Sequence, residues 1–239
     1  MGQLGEVLER HLLCFGEMAE PDRQAVRALD GEVRNLPRLQ DALREGDRPK
    51  EVVVVLSGFL YRYTMGPHGA RQVHSFYMAS EAPCLETLYI DYMDNNLGAA
   101  VDSRIGLIPH EMIYRVIDEF PEARKLLWRQ TLVQAAIFRE WLVRNSNLPA
   151  HAAIAHFFCE MFIRARAAGL SKGDSCDLPL TQEFVAEALG ITPVHFNRTL
   201  KQLRDTNAVE WRSGRLIISD FDRLAAVADF NPRYLHLRC

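Results

Sequence analysis

Cysteine is scarce in this chain and scattered. Five residues, Cys14, Cys84, Cys159, Cys176 and Cys239, lie far apart and are odd in number. That excludes a disulfide framework and any paired Cys-x-x-Cys metal site, and it suits reduced thiols in a cytoplasm. Long apolar runs are lacking too. The most apolar stretch, Val52 to Leu60, is broken by Ser57-Gly58 and falls far short of the ~20 residues that span a bilayer. The N-terminus does not combine a basic start, an apolar segment and a small-residue cleavage site, so no secretion signal is read. There is no phosphate loop, nucleophile elbow, zinc-protease helix or obvious acid pair, so an enzyme is not the expected function. An excess of positive charge is missing as well. With 28 Lys and Arg against 31 Asp and Glu, attraction to nucleic acid would have to be local. What is present, 48% hydrophobic and 25% charged residues in 239, is the composition of one large or two modest globular domains.

The most informative stretch is Leu180 to Lys201, LTQEFVAEALGITPVHFNRTLK. Thr181 caps a short helix with Glu183 in its first turn, which suits the free N–H groups there. Val185, Ala186 and Leu189 give its buried face. Gly190 tolerates the positive φ that ends a helix abruptly, and Thr192-Pro193 starts the next one. Phe196, Leu200 and Leu203 form the inward stripe of that second helix. Val194, Arg198 and Lys201 fall on the opposite side, with His195 and Asn197 beside them. Two apolar runs, Val209-Glu210-Trp211 and Arg215 to Ile218, then flank the turn Ser213-Gly214 and predict a β-hairpin. From 192 to 215 there are five Lys or Arg against two acids, a local basic bias in a chain of net charge −3. The pattern is a winged helix-turn-helix that places its second helix in the major groove of double-stranded DNA. A plain αα-hairpin would carry the same caps; the wing and the cations favour DNA.

The run LTQEFVAEALGITPVHFNRTLKQLR with its wing resembles the C-terminal domain of the Crp/Fnr family of bacterial transcription regulators. The resemblance implies a homodimer on a two-fold symmetric operator, an N-terminal cyclic-nucleotide-binding-like β-roll, contact with RNA polymerase if the protein is an activator, and a small-molecule effector in some members. The expected fold is α+β: an antiparallel, jelly-roll-like β-roll over 1–120, a dimerisation helix and hinge over 121–147, and the winged helix-turn-helix over 148–239. On this reading Arg198 reads a base, Thr192, Val194 and His195 shape specificity, Lys201, Arg212 and Arg215 contact the backbone, and Thr181, Pro193 and Asn197 complete the DNA-binding set. Cyclic-AMP-responsive members carry Arg-Glu just after the cap, where this chain has Pro193-Val194, so the operator should differ from theirs.

The preceding chain fits that plan. Residues 4–29 have helical apolar spacing. From Val33 the period shortens: Val52 to Leu56, Phe59 to Tyr63 and Gln72 to Met78 read as strands, with a hairpin turn at Pro67-His68-Gly69-Ala70 and a closing strand from Val101 to Pro109. Glu111 to Phe120 reads as a short helix. Glu122 to Arg144, without Gly or Pro, reads as a long one whose Leu126, Val133, Ile137 and Trp141 would face a twin. Asn145 to Pro149 reads as the hinge, His151 to Ala168 as a further helix, and Gly169 to Asp177 as a polar loop.

The effector pocket departs from the family. Gly58, Tyr61, Glu86, Thr87, Asn95 and Asn96 are its expected lining. Cyclic-AMP-binding members hold the phosphate with Gly-Glu and a following Arg, chemistry that rests on a bidentate cation and free N–H groups. Here Leu85 precedes Glu86, and no arginine occurs between Arg71 and Arg104. The roll is therefore expected not to bind cyclic AMP in the usual way, and its effector is unknown. No cofactor or metal is expected. His156, Cys159 and Glu160 have a ligand-like spacing, but a packed helix face explains them better, and His68 and His74 read as turn and strand-surface residues rather than haem ligands. The clustered cysteines of the family's iron–sulfur branch are missing, since only Cys14 lies in the first eighty residues. The rival reading is a sensing or interaction module that does not use DNA.

Overall fold

In a computed structural model the chain is described over residues 3–66 and 69–238. Pro67 and His68 of the expected hairpin turn, and Cys239, lie outside the described residues. Two compact units emerge: one of residues through Thr64 with Ser75–Ala136, the other of Met65–His74 with Ile137–Leu237.

The first unit begins with helices α1 (Gln3–Leu13) and α2 (Glu20–Arg27). Leu4, Leu8 and Leu12 of α1 are fully buried, the i, i+4, i+8 stripe that an amphipathic helix turns inward. Glu9 ties the two helices together, with Arg23 Nε and Arg27 Nε each 2.6 Å from its carboxylate oxygens. Seven strands follow: β1 (Glu32–Leu36), β2 (Asp41–Leu43), β3 (Glu51–Ser57), β4 (Phe59–Met65), β5 (Arg71–Met78), β6 (Asn96–Ala99) and β7 (Ser103–Pro109). They form two sheets, ordered β1-β7-β3 and β2-β6-β4-β5. Val53, Val55, Ile105 and Leu107 of the first sheet meet Leu60, Tyr77 and Leu97 of the second in one core. In β3 and β7 these are alternate residues, the period that sends successive side chains to opposite faces. Burying such side chains stabilises by about 1.5–3 kcal/mol each. Gly58 joins β3 to β4 at φ +87°, and a Cβ there would lie 2.3 Å from Ser103 Oγ and 2.8 Å from Asp102 O. Only glycine fits both constraints.

After a 3₁₀ turn, Leu85–Leu88, come α3 (His110–Glu119) and the 27-residue α4 (Pro121–Asn147). Gln130 and Gln134 of α4 both donate from Nε2 to Ala82 O at 2.9 Å. The helix runs to Asn147, so the expected hinge at Asn145–Pro149 shortens to the residues just past it. The expected dimer stripe also needs correction. Leu126, Val133, Ile137 and Trp141 are only 3–7% exposed within a single chain. Leu126 packs over Gly16, while Trp141 packs edge-on to Phe157 and donates to Glu160. The apolar residues left outside are Trp128, Leu132, Leu142 and Val143, each more than half exposed.

The second unit contains α5 (Ala150–Ala167), β8 (Ser171–Lys172), β9 (Ser175–Asp177), α6 (Gln182–Ala188), α7 (Pro193–Asp205), β10 (Val209–Arg212), β11 (Arg215–Ile218) and α8 (Phe221–Ala228). The segment Gly169–Asp177, expected as a polar loop, instead forms the β8–β9 hairpin and extends the wing to a four-stranded sheet, β10-β11-β9-β8. Backbone pairing with β11 outweighs its polar composition.

Along α5, His156, Glu160 and Arg164 are buried at i, i+4 and i+8. Glu160 accepts hydrogen bonds from Arg164 Nη1 at 2.8 Å, Trp141 Nε1 at 3.1 Å and Tyr234 Oη at 2.7 Å. His156 stacks on the Tyr234 ring, with centroids 5.9 Å apart and planes 20° apart. Its pKa is lowered to about 4, by burial first and then by Arg144, against the pull of Glu140. The nearest Glu140 oxygen is 3.7 Å away and that carboxylate already holds Arg144 at 2.6 Å, so the imidazole is neutral. Cys159 is likewise held up at about 12 by burial. These contacts fit a packed helix face, and among the described residues no group of three His, Cys, Asp or Glu could hold a metal ion.

A pH dependence follows. His156 titrates near the ordinary 6.5 when unfolded and near 4 when folded, so the unfolded chain takes up the proton first as pH falls. The neutral ring's contribution is complete above about pH 6.5 and is lost as pH drops through about 4, by about 3 kcal/mol. Urea unfolding of the intact chain at stepped pH should show wild type losing that much more than His156→Phe between pH 7 and 4. Parallel curves would refute it.

Candidate nucleic-acid interface

The helix-turn-helix is built from local signals. Thr181 Oγ1 accepts from Phe184 N at 3.2 Å and Thr192 Oγ1 from His195 N at 3.3 Å, so both threonines cap as their positions require. Gly190 has φ +67°. Gly190 N donates to Glu187 O and Ile191 N to Ala186 O, both at 3.0 Å, the paired closure of a helix ended by a left-handed residue. Phe196, Leu200 and Leu203 of α7 are buried, as are Val185, Ala186 and Leu189 of the preceding segment. Trp211 of β10 lies edge-on to Phe196 and Phe158, 6.1 Å and 5.4 Å between centroids, and donates to Leu178 O at 3.0 Å. Arg204 Nη2 donates to Trp211 O, fastening the end of α7 to the wing. Sequence reading missed this arginine because its acceptor is a backbone carbonyl in another element.

The outer face of α7 is left open. Val194 is 81% exposed, and Thr192, Pro193, Asn197, Arg198 and Lys201 are exposed, with His195 at the flank. Arg198 Nη2 lies 2.8 Å from His195 Nδ1. A guanidinium can only donate, so Nδ1 is the acceptor in this contact. His195 thus steadies the guanidinium. Lys201 has no ion-pair partner among the described residues. Arg212 Nε pairs with Glu210 at 2.8 Å on the surface, at 69% and 47% side-chain exposure. Such a pair contributes little, roughly 0–1 kcal/mol, so Arg212 can exchange it for a phosphate. Arg215 Nη2 donates to Ser175 Oγ at 2.7 Å, steadying it on β9. Thr181 is exposed at its cap.

In the roll, the expected pocket residues are engaged by contacts of the chain itself. Thr87 Oγ1 donates to Cys84 O at 2.7 Å and meets His110 Nε2 at 3.0 Å. Asn96 Oδ1 accepts from Glu45 N at 3.0 Å, Asn95 Nδ2 donates to Asp94, and Tyr61 is buried and stacked on Tyr63. Gly58 serves the β3–β4 turn. The residue not foreseen is Arg62, which β4 carries into the interior. Its Nη2 is 2.5 Å from Glu86 Oε1 and 2.5 Å from Pro83 O, and its guanidinium lies 5.9 Å from the Tyr77 ring centre. Burial would lower its pKa, but Tyr77, Cys84 and Glu86 more than offset that and raise it. Burial also pushes the Cys84 thiol up to about 12. The roll therefore does hold a cation, supplied from outside the segment where the family keeps its arginine, and Glu86 compensates it.

Comparison with known proteins agrees with this construction. Residues 152–227 match the Crp-like helix-turn-helix domain. A probable transcriptional activator of Rhizobium leguminosarum bv. viciae is 22% identical over 213 residues, covering 89% of this chain and 85% of that one. The transcriptional activator protein anr of Pseudomonas aeruginosa is 22% identical over 195 residues, 82% of this chain and 80% of that protein. Among solved structures, FixK2 from Bradyrhizobium japonicum superposes with a TM-score of 0.72 at 17% identity, over 83% of this chain and 98% of that one. A CooA mutant from Carboxydothermus hydrogenoformans gives 0.64 at 15%, over 82% and 87%. No helix of the described residues is long and apolar enough to cross a membrane. With a Crp-like helix-turn-helix domain over residues 152–227 and similarity to transcriptional activators over most of its length, the chain is a DNA-binding transcription regulator similar to those of the Crp/Fnr type.

Proposed function

We propose that the protein binds a two-fold symmetric DNA site as a homodimer and reads it through the exposed face of α7. The observation that carries the reading is Arg198, solvent-facing on the recognition helix and held by His195 at 2.8 Å. A steadied guanidinium suits the N7 and O6 acceptors of guanine. Thr192, Pro193, Val194, His195 and Asn197 surround it and set the base pairs it accepts. Lys201, Arg212 and Arg215, with Thr181 at the first helix's cap, hold the backbone. The relatives above are named as activators, so activation through RNA polymerase belongs to the same reading. The apolar stripe Trp128, Leu132 and Leu142 is proposed as the dimer seam. We further infer that the roll does not bind cyclic AMP in the usual way, because its interior cation is already matched by Glu86 and no arginine follows Glu86 before Arg104. Sub-millimolar cyclic-AMP binding by calorimetry would overturn that part.

The DNA reading is tested by selecting bound sequences from a random pool with purified protein, then measuring Arg198→Ala on the site obtained. The variant should lose about 1–3 kcal/mol, concentrated at one base pair per half-site. A loss spread evenly over all sequences would reassign Arg198 to phosphate. Failure to enrich any two-fold symmetric site would remove the reading itself.

A further inference from the structure

Among the described residues Val194 is the most exposed large apolar side chain, at 81%. It is the second residue of α7, after the cap Thr192 and Pro193. A single exposed apolar residue is ordinary on a protein surface, but this one shares its helix face with polar and cationic groups. Asn197, Arg198 and Lys201, at i+3, i+4 and i+7, are all exposed beside it. The first turn is also short of donors for a phosphate. Pro193 has no N–H, and Thr192 Oγ1 already takes that of His195. We propose that Val194 selects the 5-methyl group of a thymine, so that the site bound by α7 carries an A·T pair close to the base pair read by Arg198. The inference rests on the DNA reading above and deepens it by naming a base and the group recognised on it.

The chemistry is that of the major groove, where thymine alone presents a methyl group and every other base-edge group is a donor or an acceptor. Valine has neither. Set against a G·C edge, it would leave the N4 donor or the O6 and N7 acceptors without water or partner, which costs free energy. Its β-branched stem is held near one χ1 rotamer in a helix, so little freedom is lost on contact. The position of the thymine follows from α7 itself. Val194 and Arg198 are one turn apart, about 6 Å along the axis at roughly 1.5 Å per residue. Base pairs rise by about 3.4 Å, which keeps the thymine within about two base pairs of the Arg198 contact.

The test uses the full chain and the site enriched from the random pool. Each thymine is replaced in turn by deoxyuridine, which removes the 5-methyl group and leaves the pairing intact. At one position per half-site, within about two base pairs of the one where Arg198→Ala loses discrimination, affinity should fall about fourfold for each methyl removed. Val194→Ala should bind the thymine and deoxyuridine sites equally at that position and keep its discrimination at the Arg198 base pair. Val194 is exposed, so the variant keeps the fold. Deoxyuridine bound as tightly as thymine at every position, or a thymine preference unchanged in Val194→Ala, would overturn the proposal and leave the two-fold site and Arg198 in place. A selected site with no thymine in that interval would do the same. Failure to enrich any site would remove the DNA reading and this proposal with it, so the two failures are distinct.

Discussion

Glu160→Ala should destabilise the protein by about 3–5 kcal/mol, the usual consequence of removing one partner from a buried ion pair. Glu160 is completely buried, and its carboxylate receives Arg164, Trp141 and Tyr234 together. Arg164, 5% exposed at its side chain, would be left with its charge in a low-dielectric interior and no carboxylate beside it. The pair itself is a modest net contributor, because taking both charges out of water costs nearly as much as their attraction returns. Its loss on one side is what is severe. For a chain of this size the expected fall in Tm is roughly 10 °C. Glu160→Gln keeps the shape and one acceptor oxygen but loses the charge and the second acceptor, so it should fall between wild type and alanine. Equilibrium urea unfolding of the three proteins provides the comparison. An alanine variant within 1 kcal/mol of wild type would mean that water reaches Arg164 and that the network does not organise this unit.

That network also shows where sequence reading stops. The helix-turn-helix is legible because its signals are local: a threonine three residues before the N–H it caps, and a glycine where φ must be positive. The strands β3, β4 and β5 announce themselves through β-branched and aromatic residues. By contrast β6 (Asn96–Ala99), β8 and β9 are short and rich in Asn, Gly, Ser and Lys, and only their partners make them strands. Arg62 and Glu86 stand 24 positions apart, and nothing near either residue signals the other. The family's phosphate-binding arginine follows its Glu in the chain, whereas the cation that meets Glu86 here precedes it. On α4 the difficulty was of another kind. The helix carries apolar residues on two faces, Leu126, Val133, Ile137 and Trp141 on one and Trp128, Leu132 and Leu142 on the other. Periodicity identifies both stripes and cannot say which is inward. The deciding facts are non-local: Gly16 leaves room for Leu126, and Glu160 offers Trp141 an acceptor.

The outward stripe has its own arithmetic, which leads to the remaining prediction. Trp128, Leu132, Ala135, Arg139 and Leu142 follow one another at intervals of four, three, four and three, the 3.5-residue repeat of a two-stranded seam. Trp128, Leu132 and Leu142 are 58%, 53% and 71% exposed in the single chain. Large apolar side chains so arranged and so open mark an association surface. In a two-fold pair of parallel helices Leu132 would face its own counterpart across the axis, so Leu132→Glu would set two carboxylates against each other in a dry contact. The expected result is a folded monomer by sedimentation at concentrations where wild type is a dimer. Affinity for the full operator should fall about 10²–10⁴-fold, because the second half-site no longer binds as part of the same molecule. Val133→Glu is the instructive contrast, since Val133 is 4% exposed within one chain: it should lower stability rather than change association alone. A Leu132→Glu protein that stays dimeric and keeps its operator affinity would place the dimer contact elsewhere. The α7 face would then need a different arrangement to meet both half-sites one helical turn apart.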